Sequence, residues 1–527
     1  AVGNQAMEAN TTGNINVAVG DEALADNTTG ASNIAIGYRA LYVSTTGGNN
    51  VAVGANALDA NTTASHNIAV GSAALTDNTT GAQNTAVGGG ALADNTTADN
   101  NTAVGYNALV LNTGAANTAV GAYALDANTT GANNVAVGKG ALSAATTVSD
   151  NTAVGISAME STTGAENTGI GSAALYTNSS GAYNTALGYF ALKANTTANN
   201  NVAVGHAALQ ANTTGTSNTA VGTAALDAVT TESYNTAVGH SALGANTAND
   251  NTAVGFNSLV SNTGGNYNTA VGSLALDACT TGVRNVAIGY GTLTTEIDGD
   301  YSVAMGYAAL GTQESDSAGQ DVLNTGVGAF AGNALTTGIR NTFVGAYCGS
   351  NAAVTGDENT GIGFQALYAL TSGTNNVAVG QTGGAITTGS KNTCLNGGGS
   401  VTTGDNNTLV GKDAGQTGSP GGNFTTHDNR ITLGDENIVE SNIQVDWTVA
   451  SDERDKTDFT ALDLGLGFVN ALAPVTYKWD KRSKYGDKYA DDYDLNAQVP
   501  DGTHKEDWLD IGFKAQEVEA LEIAAGY

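Results

Sequence analysis

A glycine returns every 17 residues through most of this chain, and that period limits the fold more than any other feature. From Gly3 through Gly20 and Gly37 to Gly306 there are 18 steps, of which 15 span 17 residues and three span 16. Around each glycine the unit is close to NTAVGxxALxxNTTGxx. A fixed short period of this kind marks a solenoid, in which each repeat is one turn that cannot bury its apolar side alone. Beyond Gly306 the register loosens, with comparable glycines at Gly328, Gly345, Gly363, Gly380, Gly397, Gly411 and Gly434.

The unit reads as β-structure. NVAVG and NTAVG are β-branched and alternate, as short strands do. The NTTG stretch supplies turn residues, and no useful helix fits between such punctuation. Seventeen residues at about 3.3 Å each trace a loop of roughly 55 Å, one narrow turn of a parallel β-solenoid with neighbours stacked at about 4.8 Å. Stacking places Asn above Asn, so that their amides can bond in a ladder. Leu recurs four residues after each glycine, at Leu24, Leu41 and Leu58. The glycine itself suits a left-handed or closely approached backbone. Alternation puts Val17 and Val19 on one side and Ala18 on the other. The expectation is that Leu and Val fill the coil. The Ala18 column then lies on the opposite face and needs a cover, for which a second copy of the chain is the simplest candidate.

Composition excludes several classes. The formal net charge is −31, with only 17 Lys and Arg in 527 residues, so no basic patch exists for nucleic acid. No run of 18 apolar residues offers a membrane span, and no signal peptide is visible. Cys279, Cys348 and Cys394 are scattered, with neither disulfide nor zinc spacing, and the five His have no metal-ligand spacing. No cofactor or metal is expected. The NTT sequons read as turns. A calcium-binding β-roll would need Asp in a GGxGxD setting, which is absent. Ice binding needs Thr two apart on one side, whereas the paired Thr here are adjacent and face opposite ways. The remaining Thr position swaps with Val and Ile, as a packing site does. The chain begins without Met and inside a repeat, which reads as a fragment or a processed product.

The position after the glycine is often aromatic. Tyr38, Tyr106, Tyr189, Phe256, Tyr290 and Tyr307 are candidate receptor contacts, since flat rings stack on sugar faces; packing between subunits suits the same rings.

The character of the chain changes near its end. All three Pro lie after residue 419, all three Trp after 446, and nine of the 17 Lys and Arg after 450. The organisation expected is regular repeats over 1–311, degenerate repeats or a neck over 312–446, and a small α+β domain over 447–527. GFVNALAPVTYKWD (467–480) reads as a helix ending before Pro474, then a strand with Val475, Tyr477 and Trp479 alternating. IGFKAQEVEAL (511–521) reads as an amphipathic helix.

Two resemblances follow from these residues. NVAVGxxAL at 16–24 and its copies resemble the head repeats of trimeric autotransporter adhesins, which are trimeric left-handed parallel β-rolls; similar repeats occur in phage tail fibres. The unit here is longer, by about three residues of NTTG-type turn. SDERDK (451–456), LAPVTYKW and GFKAQEVE resemble, in order, the self-cleaving intramolecular chaperone domain of endosialidase tailspikes. That resemblance implies a chaperone that assembles three chains and then cuts itself off before a serine. It maps the nucleophile to Ser451, the base to Lys456 and the scissile bond to Ala450–Ser451. A Ser hydroxyl needs a base, and a Lys of lowered pKa can be one. Read on its own, Ser451 before acidic residues is a helix N-cap. The family continues into long helices, whereas this chain ends at Tyr527, which reads as a truncated domain. Nothing in 1–446 suggests an enzyme acting on an external substrate. The function expected is a homotrimeric virion fibre, extracellular, that meets a host-surface glycan or receptor. A bacterial surface adhesin is the alternative, and an ice-binding solenoid a more distant one.

Overall fold

The computed structural model describes residues 1–419, 421–439, 466–478, 497, 499–505 and 510–525. It divides into two units, Ala1–Asp435 and Glu436–Tyr527.

The first unit is an all-β parallel solenoid. Its strands, β1 (Val17–Val19) through β25 (Ile431–Leu433), are three residues long and form one 25-stranded sheet. Each pairs in parallel with the next in the chain and in register, Val17 beside Ile34, Ala18 beside Ala35 and Val19 beside Ile36. The register survives the loosened spacing: β18 (Val303–Met305) and β19 (Thr325–Val327) pair Val303 with Thr325 although 22 residues separate them.

The strand direction corrects one expectation. Ala18 is 1% exposed while Val17 and Val19 are 46% and 40% exposed, and the pattern repeats along the sheet. Alanine points into the coil and the β-branched residues point out. The reason is room. The Leu column, Leu24 to Leu142 and beyond, is fully buried in the same narrow space, so the facing strand position can hold only a small side chain. The exceptions show the limit. Phe343 occupies the alanine position and is fully buried. Glycine then stands at the Leu position of its own turn and the one before, where a Cβ would lie 2.7 Å (Gly349) or 2.9 Å (Gly332) from the ring. Leu409 likewise takes the alanine position opposite Gly415. Large and small trade places so that the summed volume stays constant, as close packing requires.

Two asparagine ladders bond the turns, as stacking implies. Before the strands, the Asn33 backbone N–H donates to Asn16 Oδ1 at 2.8 Å, and Asn33 Nδ2 donates to the Gly47 carbonyl at 2.8 Å. In the NTT turn, Asn78 Nδ2 donates to Asn61 Oδ1 at 3.0 Å and Asn95 Nδ2 to Asn78 Oδ1 at 2.9 Å. Where the second ladder breaks, at Ser44, Ala145 and Val229, the preceding Asn27, Asn128 and Asn212 each keep a buried Oδ1 without a partner. Such an orphan costs about 1–3 kcal/mol. The repeat glycine is required twice over. Gly138 has φ +137°, and a Cβ there would sit 2.3 Å from the Gly155 carbonyl oxygen. The Leu position is itself left-handed (Leu142, φ 52°), a strain that the surrounding ladder holds in place.

In the second unit, α1 (Leu466–Ala471) stops before Pro474 and β26 (Val475–Tyr477) follows, as expected. The segment 511–521 differs. β27 (Asp510–Gly512) pairs antiparallel with β26, Val475 beside Gly512, and α2 starts at Ala515 and runs to Ala525. Its half-buried positions are Val518 and Leu521.

Candidate functional site

The aromatic positions after the glycines are all exposed, with Tyr38, Tyr106, Tyr189, Phe256, Tyr290 and Tyr307 between 46% and 56% accessible. The coil places them on one column, but only some meet. Tyr290 and Tyr307 stack at 5.4 Å with 15° between planes. Phe330 and Tyr347, one position further on in their turns, extend that run at 5.1 Å each, and Phe364 closes it at 6.3 Å. Tyr189 stacks on Phe190 and His206, Phe256 on His240, and Tyr106 meets Tyr123 edge to face. These rings spend much of their faces on one another. Tyr38 has no ring beside it among the described residues.

A second set of rings was not singled out from the sequence. Tyr183, Tyr234, Tyr267 and Tyr301 stand just before the pre-strand Asn or Ser and are exposed, Tyr234 most of all and Tyr301 least. The recurring YNT at 183–185, 234–236 and 267–269 was the available signal.

Among the described residues no group of three His, Cys, Asp or Glu could hold a metal ion, and no helix is long and apolar enough to cross a membrane. Burial pushes the three cysteine thiols up to about 12, so they are poor nucleophiles. Glu296 is buried within the coil, accepting from the Gly299 N–H at 2.7 Å and from Gln313 Nε2 at 2.8 Å, a packing role. A shallow groove of about 410 Å³ lies between Thr177, Lys193, Gln210 and Asp227.

Ala450, Ser451 and Lys456 lie outside the described residues. Residues 451–527 match the family described as "Chaperone of endosialidase", whereas no curated protein and no solved structure matches the chain. The chain therefore carries a parallel β-solenoid followed by a C-terminal segment that matches the chaperone-of-endosialidase family.

The acidic balance has a stability consequence. Asp59, Asp94, Asp126, Asp227 and Asp277 lie along the side of the coil next to the Leu column. Burial raises each carboxyl above its ordinary value of 3.8. Asp77 adds to the rise at Asp59 and Asp94, and Arg39 opposes it at Asp59. These folded-state carboxyls hold a proton more tightly than the unfolded chain does. Their contribution is therefore complete below 3.8 and is lost as pH rises through the raised values. Glu232 runs the other way: burial raises it, but N–H groups of Thr230 and Thr231 hold it below its usual range. Burial raises Asp300 as well, so six carboxyls stand against one, and with −31 net charge adding self-repulsion they set the sign. The melting temperature is expected to rise as pH falls from neutrality toward about 4, just above the ordinary carboxyl value of 3.8. Thermal melts by circular dichroism that show a steady fall over that interval would contradict this.

Proposed function

We propose that this chain is the subunit of a homotrimeric virion fibre, a tail fibre or appendage, that attaches to a host surface. Its C-terminal chaperone domain assists assembly and cuts itself once, at Ala450–Ser451. The observation that carries the reading is one surface. Of the two outward strand columns, the one after the alanine position is Val, Ile, Leu or Met in all 25 strands, and the one before it is Val, Ile or Thr, in the same chain as a segment that matches the chaperone-of-endosialidase family. A continuous apolar face of this length is an interaction site. Its natural cover is the same face of another copy, since identical turns match step for step. The expected cover thus remains a second copy, with Val and Ile at the contact in place of Ala. The half-exposed aromatic columns point to attachment, for which a host glycan or receptor is the partner.

Native mass spectrometry or light scattering on the whole chain should give three copies. A stable, folded monomer at micromolar concentration rules the reading out, and micrographs of particles carrying the chain test its place on a virion.

One observation favours a second reading. Thr85, Thr102 and Thr118 point outward, half-buried, rather than into the packing expected for them, so an ice-facing array is sterically available. Val17, Ile34 and Val135 interrupt that hydroxyl column. Thermal hysteresis by the purified chain would support ice binding, and its absence dismisses it.

A further inference from the structure

We infer that the column Tyr234, Asp250, Tyr267, Arg284 and Tyr301 is a binding platform for an extended, neutral, β-linked polysaccharide lying along the coil. The inference rests on the host-attachment reading and names the ligand class and the residues for it.

The five residues occupy the same position in five consecutive turns, each left-handed with φ between 57° and 63°, and all five are exposed. Ring and charged group alternate. Each ring is two ladder steps from the next, roughly 10 Å along the axis. That is about the reach of two pyranose units in an extended β-linked chain, in which every second sugar presents the same face. Rings would then stack on alternate sugars, while Asp250 and Arg284, one step off, meet the hydroxyls of the sugars between them. Tyrosine suits this use, with a flat apolar body and a polar tip at little entropic cost.

The platform is held in place before any ligand arrives. Backbone N–H groups of Tyr234, Arg284 and Tyr301 each donate at 3.1 Å to the carbonyls of Thr216, Asn266 and Val283 one turn earlier. The side chains of Asn249 and Asn266 accept from the N–H groups of Ser233 and Asn249 at 2.7 and 2.8 Å. The Arg284 guanidinium lies 5.5 Å and 5.2 Å from the Tyr267 and Tyr301 ring centres and donates to the Tyr301 hydroxyl at 2.6 Å. Such preorganisation lowers the ordering cost of binding. The run from Tyr290 to Phe364 differs, because its rings lie one step apart and contact each other. Charge selects against polyanions: the chain carries −31, and Arg284 is already engaged by Tyr301.

The test titrates the whole chain with cellohexaose and chitohexaose, using maltohexaose and polysialic acid as controls, by calorimetry or ligand-observed NMR. At least one β-linked probe should bind and neither control should. Tyr267→Ala should weaken binding about tenfold, Tyr267→Phe should retain it, and Gln83→Ala, at the same position of a distant turn and also exposed, should leave it unchanged. Failure of both β-linked probes at millimolar concentration, or unaltered binding by Tyr267→Ala, overturns the inference. Light scattering on the same samples separates the two readings. If Tyr267→Ala breaks up the trimer, the column is a subunit contact and the platform falls while the fibre stands. If the unaltered chain is monomeric, the fibre reading falls whatever the sugars do.

Discussion

Replacing Leu142 by Asp is expected to destabilise the solenoid by about 4 kcal/mol or more, read as a large fall in melting temperature. Leu142 is fully buried, between Leu125 and Met159 in the column, and its backbone N–H donates to the Ala158 carbonyl at 3.0 Å. The substitution removes the packed side chain, leaves a gap and brings a carboxylate where no cation waits. Turns touch only their neighbours, so the damage uncouples the two halves of the array instead of being absorbed. Leu142→Met should cost less than about 1.5 kcal/mol, since volume is nearly kept and Met159 already serves one turn away. Tyr106→Ala should cost about 1 kcal/mol, because the ring is half-exposed and its ring contact is one edge-to-face meeting with Tyr123 at 5.5 Å. If Tyr106→Ala harms assembly as much as Leu142→Asp does, that column is a subunit interface and not a receptor face.

The period made the fold class legible, because a rigid repeat allows each recurring residue one role. Gly138, Leu142 and the Asn ladders take the places that stacking implies. Which way the strands face was not legible from alternation. A period of two says that Val17 and Ala18 point apart, but not which points inward. Hydrophobicity alone favours Val inside; the width of the coil overrules it, since Leu has already filled the space. A size signal was present in GLY-for-Leu exchanges such as Gly349 six residues after Phe343, which make sense only if the alanine position and the Leu position share one interior.

The sites were legible unevenly. Tyr290 and Tyr307 were placed on one column from spacing alone, and they are. Their stacking depends on ring orientation, which spacing does not carry. Tyr234 and Tyr267 escaped notice because their turn position elsewhere holds Ser32, Asn49, His66, Gln83, Asp150, Glu166 or Arg284, so no single residue type recurs there. The helix expected over 511–521 was shortened by pairing: Asp510–Gly512 has a strand partner in Val475–Tyr477, and a partner distant in sequence leaves no local periodicity.

The self-cleavage proposed at Ala450–Ser451 is expected to fail completely in Ser451→Ala. The unaltered protein should yield two fragments, the smaller beginning at Ser451, and the Ala variant should leave one band. Losing a nucleophile of this kind lowers such a rate by a factor of about ten thousand or more. Lys456→Ala removes the base and should do nearly the same. Lys456→Arg should fail too, although it keeps the charge, because a guanidinium does not deprotonate. That variant separates a base from a structural cation, which Arg would replace. Cleavage should not depend on dilution once trimers exist, since nucleophile and scissile bond belong to one assembly. The uncut variants should still form trimers, because assembly precedes the cut in this scheme. N-terminal sequencing that places the cut elsewhere, or ordinary cutting by Ser451→Ala, would reduce SDERDK to a capped helix start. The dense mixed charge of that hexapeptide, after an array that is acidic and has few Lys or Arg, would then mark only the start of a solvated domain.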